Sequence, residues 1–450
     1  MDRYAVEASA GAPAIQLGRP TDPAWWRLFD SKALDELVEA GLKSSPTLAA
    51  ARAALLQSQD QARAGAGVFY PNFNASASAS RERLNLVQFG QGGAGHEVSL
   101  YTAEGEVNYA LDLFGGERRS VEALSAQAQY QQHAVGAAYL LLTGEIVDAA
   151  IARAGYADEA GVLSDIVKLD QAQRDILTSE YKAGHAALSA ELAAEQQLAA
   201  DQQTLESTRQ RLAAAETLLQ ALMGREPAEA SPPPPALAEL EVPAAVPVSL
   251  PSQLVRTRPD ILEAEADLHY ANAEVGVATA AMFPSISLTG DYGRTGLSLA
   301  SLASPAAAFW SVGPSINVPV FHGGALVYGR KAAEAGYLKA ASDYRQTVLA
   351  ALEQVSDALR ALDADAIILR SAEAASGAAD LARRLAGANR SAGVIADFDA
   401  IAVQIEADRA RQTLIAARAQ RLQDVAALYL ACGGGWNGRE PGGGGAAKTP

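Results

Sequence analysis

The chain is written twice. Laid over itself at an offset of about 210 residues, it aligns from end to end. Pro46 falls on Pro259 and Pro71 on Pro284, both at a separation of 213, while Ala183-Gly184 falls on Ala392-Gly393 and Met223-Gly224 on Cys432-Gly433, both at 209. Between the first two anchors, Ala51 and Ala53 fall on Ala264 and Ala266. Phe114-Gly115-Gly116 stands opposite Phe321-His322-Gly323-Gly324, a shorter loop accounting for the reduced offset. Alanine-rich composition can imitate one such match, but not an ordered series of them. One structural unit built twice is therefore expected, each copy reading helix, two strands, very long helix, turn, shorter helix. The organisation that follows is an N-terminal extended segment over 1–30 and a first repeat over 31–224, with a hairpin about 68–114 and a helix tip near 184. A Pro-rich connector over 225–257 leads to a second repeat over 258–432, with a hairpin about 282–321 and a tip near 393, and a Gly-rich tail over 433–450.

The strands carry the environment. Phe73, Ala75, Ala77 and Ala79 alternate with Asn74, Ser76, Ser78 and Ser80, and Val107, Tyr109, Leu111 and Leu113 alternate with Asn108, Ala110 and Asp112. In the second repeat Ile286, Leu288, Gly290 and Tyr292 alternate with Ser285, Ser287, Thr289 and Asp291; Val312, Ile316, Val318 and Val320 stand against Ser311, Ser315 and Asn317. A period of two gives one apolar and one polar face. Runs of about 9–11 such residues suit a membrane strand with lipid on one side and water on the other. An ordinary soluble two-hairpin sheet has the same alternation. Four strands do not close a barrel around water, so the membrane reading demands several copies, a trimer of twelve strands being the simplest closure.

The helices give an independent length scale. Arg119–Tyr181 and Ala325–Ala388 keep helix-forming composition over about 64 residues, or roughly 95 Å at 1.5 Å per residue. The returning segments, about Ala187–Leu222 and Ala400–Ala431, measure roughly 50 Å each, and the segments leading into the hairpins, about Ser31–Ala64 and Arg258–Ala281, roughly 50 and 35 Å. Two short helices placed end to end therefore match one long one. They meet where the irregular stretches lie, at the proline-rich Glu226–Pro251 connector and at Gly433-Gly434-Gly435-Trp436, which together predict a belt around the helices. An ordinary coiled-coil bundle explains the small residues of these helices as well.

Composition narrows the function. With 450 residues, 49% of them apolar and 20% charged, the chain exceeds one compact core. Its net charge of −16 leaves no basic stripe for a nucleic-acid partner. The single cysteine, Cys432, excludes an intrachain disulfide and a thiolate zinc site; it matches Met223 across the repeat and reads as a small buried hydrophobe. The best apolar run, Ala134–Ala152, is interrupted by Glu145 and Asp148, and Met1-Asp2-Arg3 leads into a polar stretch without a signal peptide. A bilayer crossing would then have to be a closed β-barrel.

Specific strings complete the picture. Arg258-Pro259-Asp260-Ile261, Ala264-Glu265, Ala273, Gly276-Val277-Ala278, Ala280-Ala281 and Phe283-Pro284-Ser285-Ile286-Ser287-Leu288 follow one another in that order. Supporting them are Trp25-Trp26-Arg27-Leu28-Phe29, Leu111-Asp112-Leu113-Phe114-Gly115, Tyr181-Lys182-Ala183-Gly184 and Gly433-Gly434-Gly435-Trp436. In these the chain resembles the TolC/OprM superfamily, most closely the OprM- and NodT-like outer-membrane subunits of resistance-nodulation-division efflux systems, over about Ala24–Asn437. The resemblance implies an α+β membrane channel. Long helices would form an α-barrel, two β-hairpins would complete a 12-stranded β-barrel in a homotrimer, and an irregular belt would ring the equator. It implies a passive conduit for small molecules (drugs, toxic compounds or metal ions). The partners would be a periplasmic adaptor protein, an inner-membrane resistance-nodulation-division transporter and outer-membrane lipid. A TolC-type conduit for type I protein secretion shares this fold, and a soluble coiled-coil scaffold is the rival from another class. The signal peptide and acylated cysteine of the family's lipoproteins are not found in this chain. The second tip also departs, reading Ala400-Ile401-Ala402-Val403 where the family usually shows Val-Leu-Asp-Ala.

Chemistry is sparse. Phe89-Gly90-Gln91-Gly92-Gly93-Ala94-Gly95 contains G-x-G-x-x-G, but a strand-type run follows it instead of a helix, so a flexible hairpin loop is expected. His96, His133, His185, His269 and His322 have no ligand spacing, no serine lies in a nucleophile elbow, and no catalytic residue, metal or cofactor is expected. The candidate functional residues are at the tips. Gly184 and Gly393 make the turns, and Asp399 stands six residues after Gly393, where the family's channels place a pore-lining carboxylate. Asp399 and Asp397 read either as a periplasmic gate, repeated around a narrowing pore, or as acidic residues favoured by the start of a helix. Lys182 and Arg390 are the candidate counter-charges.

Overall fold

A computed structural model describes residues 14–18, 22–84, 96–229, 232–243, 245–248 and 251–434. The Gly90–Gly95 loop and Gly435-Trp436 lie outside the described residues. In chain order the first elements are β1 (Ala14–Leu17), α1 (Lys32–Ser44), α2 (Pro46–Gly65), β2 (Asn72–Leu84), β3 (His96–Leu111), α3 (Gly116–Lys182) and α4 (Leu188–Leu222). There follow β4 (Ala245–Val248), α5 (Pro251–Thr257), α6 (Pro259–Ala280), β5 (Ser285–Gly296), β6 (Ala308–Asn317), α7 (Ala325–Ser391) and α8 (Asp397–Ala431). The long helices α3 and α7 have 67 residues each and the return helices α4 and α8 have 35 each, an equality that the duplication demands. At 1.5 Å per residue the long pair reach about 100 Å.

Compactness divides the chain differently from the repeat. One unit comprises Met1–Ala53, His133–Leu262 and Gln346–Pro450; the other comprises Ala54–Gln132 and Glu263–Arg345. Each unit draws corresponding stretches from both halves.

In the first unit, a 3-10 turn at Trp25–Phe29 sets Trp25, Trp26 and Phe29 among Leu34 and Leu37 of α1, Tyr139 of α3 and Tyr429 of α8, all of them buried. Trp25 stacks on Tyr429 with ring centroids 5.6 Å apart, and Trp26 tilts against Tyr139 at 6.4 Å. Aromatic rings supply large buried areas, which anchors the chain's early residues to its last helix. Ser31 starts α1 by accepting from the Leu34 N–H at 3.3 Å.

Three details differ from the sequence expectation. The helix expected over Ser31–Ala64 is two helices, because Ser45 is extended (ψ 123) before Pro46. Proline excludes its predecessor from the helical region and is itself welcome at a first helical position. The proline-rich connector is not wholly irregular. Its β4 pairs in parallel with β1, from Ala14↔Ala245 to Leu17↔Val248, but Pro251 then opens the short helix α5. Finally, α3 does hold a window apolar enough for a membrane span (mean hydropathy 1.6), in spite of Glu145 and Asp148, and 67% of that window is buried within the chain. Ile146, Val147, Ala150 and Ile151 are core residues, which explains the hydropathy.

The short helices meet end to end, as their lengths require. The last carbonyls of a helix have no partner within it. At the end of α4, the Met223 carbonyl accepts from the Ser44 hydroxyl at 2.8 Å, at the α1–α2 break. At the end of α8, the Ala431 carbonyl accepts from the Arg258 guanidinium at 2.8 Å, beside the start of α6. Arg258 is buried and also binds the Asp260 carboxylate through Nε and Nη2, at 2.8–3.1 Å, and the Gln354 side chain. Met223 and Cys432 cap the two helices in the same conformation, φ −80 and −78 with ψ 2 in both. Cys432 is buried there, where a thiol packs as a small apolar group.

The second unit holds a four-stranded antiparallel sheet in the order β2-β3-β5-β6. The register runs Phe73↔Val107, Tyr109↔Leu288 and Ile286↔Ile316, and β2 and β6 are its edges.

Candidate functional site

The register sorts the strands into two faces. Phe73, Ala75, Ala77 and Ala79 line up beside Tyr101, Val107 and Tyr109, then Ile286, Leu288 and Tyr292, then Trp310, Val312 and Ile316. None of these residues is buried by the described residues: Phe73 is 78% exposed, Trp310 73% and Tyr292 62%, while Tyr101, Val107, Tyr109 and Ile286 are half-buried. An apolar face of this extent marks a partner or a membrane. It ends at an Arg81–Glu97 ion pair, 2.8 Å. From Phe73 to Ala79 a strand climbs roughly 20 Å, close to the apolar band of an outer-membrane barrel.

The opposite face is polar. Asn74, Ser76 and Ser78 neighbour Thr102, Glu104, Glu106 and Asn108, and Ser287, Thr289 and Asp291 neighbour Ser311, Ser315 and Asn317. Ser76 donates to Glu104 at 3.2 Å and Ser311 to Asp291 at 2.7 Å. Glu106 stands directly opposite Asp291, a like-charge pair that is tolerated where water solvates it. At the foot of the sheet Asp112 accepts from the Glu117 and Arg118 N–H groups at 3.2 and 3.0 Å, capping α3, and Phe114 stacks on Phe283 at 4.9 Å.

The helix tips lie in the first unit, and both are closed alike. At the first, His185 N–H bonds the Glu180 carbonyl at 2.8 Å and Gly184 N–H that of Tyr181 at 2.9 Å. At the second, Val394 bonds Asn389 at 2.9 Å and Gly393 bonds Arg390 at 3.0 Å. This double bond pattern needs a left-handed residue, and Gly184 and Gly393 supply it with φ +78 and +72. Arg390 and Asp397 come together across the second tip, Nε to Oδ1 2.7 Å. Asp399 and Lys182 are exposed and have no hydrogen-bond or ion-pair partner among the described residues. Both aspartates occupy the first turn of α8, whose cap residue Ala396 offers no side-chain bond, so they also face the positive end of the helix.

The duplication, the two-faced sheet and the paired tips are the setting for a comparison with known proteins. The profile of the family described as outer membrane efflux protein matches residues 37–225 and again 250–434, once per repeat. The chain belongs to this family. Among curated relatives, the probable efflux pump outer membrane protein TtgC of Pseudomonas putida is 30% identical, the match covering 96% of this chain and 88% of TtgC. Outer membrane protein OprJ of Pseudomonas aeruginosa is 28% identical over 96% of this chain and 90% of its own. Among solved structures, the outer-membrane channel OprN superposes with a TM-score of 0.85 at 27% identity, covering 96% of this chain and 97% of OprN. This efflux family member is thus an outer-membrane channel component, with long helices joined to a β-domain.

Sequence reasoning missed the groups that tie the helices together near the tips. Gln173 of α3 donates to the Phe398 carbonyl at 3.3 Å, and Thr178 of α3 to Glu191 of α4 at 2.8 Å. It also missed two buried carboxyls in the long helices, Asp170 and Asp365, only 3% and 5% exposed. Burial, with the carboxylates of Asp201 and Asp424 respectively against them, pushes each up to about 7, although Arg409 and Arg421 work the other way. Asp170 does have a signal: it extends the buried α3 stripe of Val162, Leu163 and Ile166 by one turn.

Proposed function

We propose that three copies of this chain join their sheets edge to edge into a twelve-stranded barrel, with the apolar face toward outer-membrane lipid and the polar face lining water. The observation that carries this is the sheet: two free edges, one exposed apolar face and one carboxylate-bearing polar face. Four such strands cannot enclose a lumen alone, and open edges invite pairing with another copy. The assembly acts as a passive conduit for small molecules such as drugs, toxic compounds or metal ions. A resistance-nodulation-division transporter of the inner membrane supplies the energy, and a periplasmic adaptor protein grips the helix tips. The tips are the closing point, where Asp399 from each copy faces the axis and Arg390, held on Asp397, and Lys182 limit its charge. Opening separates these tips by a small untwisting of the helices.

The protein refolded or extracted in detergent should sediment as a trimer with helix exceeding strand by circular dichroism, and it should conduct in planar bilayers. A folded monomer that stays soluble without detergent would remove the reading.

A further inference from the structure

Asp170 lies in the last third of α3, yet it is buried, and its Oδ2 has no hydrogen-bond partner among the described residues. What it meets is another acceptor, the carboxylate of Asp201 on α4. Asp201 is already engaged, accepting from Gln197 one turn earlier at 2.7 Å and from Arg409 of α8 at 3.3 Å. Arg409 in turn also holds Glu406 at 3.2 Å. On α3 itself the neighbouring charges are Lys168, paired with Asp165 at 2.8 Å, and Arg174, whose Nη2 pairs with Asp175 at 3.0 Å while its Nε is buried without a hydrogen-bond partner among the described residues. Two facing carboxyls with nothing but acceptor oxygens between them need one proton to make a bond.

The other hairpin has the same arrangement at a different level. Asp365 of α7 is buried, its Oδ2 also lacks a donor, and it meets the carboxylate of Asp424 on α8. Asp424 accepts from Gln420, again one turn earlier, at 3.1 Å, and Arg421 of α8 is the nearby cation. The neighbouring charges on α7 are Asp363 and Arg360, the latter facing Asp357 at 3.6 Å. In each hairpin, therefore, a buried aspartate of the long helix opposes an aspartate of its own return helix that is backed by glutamine and arginine.

We propose that Asp170–Asp201 and Asp365–Asp424 are proton-held clasps that fasten each return helix to its long helix, so that the tightness of both helical hairpins follows the pH of the surrounding solution. The direction is fixed by where the proton is bound. Each clasp holds a proton when closed, up to about pH 7, whereas a water-exposed aspartate gives its proton up near pH 4. Closed hairpins are thus favoured in acid, and the clasp's contribution is lost as pH rises from the exposed value through the closed one. Above that range two adjacent carboxylates face a single arginine, and the interhelical bond is gone.

Hydrogen exchange of the detergent-solubilised protein, followed by mass spectrometry from pH 5.5 to 8 and corrected for the chemical exchange rate, reads this directly. Peptides of α4 around Asp201 and of α8 around Asp424 should show an opening constant that climbs up to about tenfold per pH unit per clasp and levels off above pH 7. The Asp170→Asn and Asp365→Asn variants carry a neutral donor at every pH and should stay protected, with a flat response. If they open with the parent's pH dependence, the clasps do not exist. Should either variant fail to fold, Asp201→Asn and Asp424→Asn test the same pairs from the other side. Each removes the like charge, and an unchanged response across pH 5.5–7 overturns the proposal equally.

Discussion

Asp397 and Asp399 are on the same helical turn, but only one of them has its charge answered. Asp397 is bound by Arg390 within the tip, whereas Asp399 is exposed and unpartnered among the described residues. In a trimer, three such carboxylates near one axis hold cations and repel one another. Asp399→Ala is therefore expected to raise single-channel conductance in planar bilayers, reduce cation selectivity and weaken block by multivalent cations. Asp397→Ala should act mainly by freeing Arg390. Glu36, exposed on α1, is a suitable control, whereas Asp112 is not, since it caps α3. A parent-like conductance for Asp399→Ala would leave the residue as a helix-start charge only. The placement of Asp397 and Asp399 beside the tip turn was legible because the turn and its flanking residues lie within a few residues. Asp365 was not, and Asp170 was signalled only as a continuation of the apolar stripe of α3, with no hint of its partner: whether a helical position is buried depends on which element packs over it. Here α4 or α8 does so, and neither announces its register in the sequence of α3 or α7.

At the scale of elements, the two hairpin tips depend on one backbone conformation. Gly184 and Gly393 hold φ +78 and +72, a region where a side chain costs about 1–2 kcal/mol for a β-carbon clash with the following carbonyl. Gly393→Val should lower stability by at least that much and Gly393→Ala by somewhat less, read as a drop in the thermal midpoint of the detergent-solubilised protein. An unchanged midpoint would mean that the tip is not part of the cooperative unit. The two faces of each strand were readable because period-two alternation separates apolar from polar residues, whereas which strands pair, and in what register, came only from the structure. The parallel β1–β4 pair was not. It is four residues long, includes Pro247, and joins segments with no alternation to advertise it. Pro46 gave a local sign of the α1–α2 break, but helical periodicity continued on both sides and masked it.

The whole molecule turns on which face of the sheet meets lipid. Val312 lies mid-strand on the apolar face, and Ser311, its chain neighbour, points to the polar one. A lysine at Val312 should cost about 2–4 kcal/mol if that face is in hydrocarbon, while a lysine at Ser311 should be absorbed by water. The folded fraction after insertion into lipid vesicles, followed by gel mobility without heating, distinguishes them. Equal tolerance of the two variants would reverse or remove the membrane assignment. A different consequence follows from the two helix joints. At one, the Ser44 hydroxyl bonds the Met223 carbonyl while also meeting the Ala40 carbonyl of its own helix; at the other, a buried Arg258 grips Ala431, Asp260 and Gln354 at once. A ring of three chains would thus have a backbone that repeats twice per chain but a stiffness that repeats only once. Torque applied at one end would concentrate at the compliant Ser44 joints, so such a ring would flex along three lines and resist along the three between them.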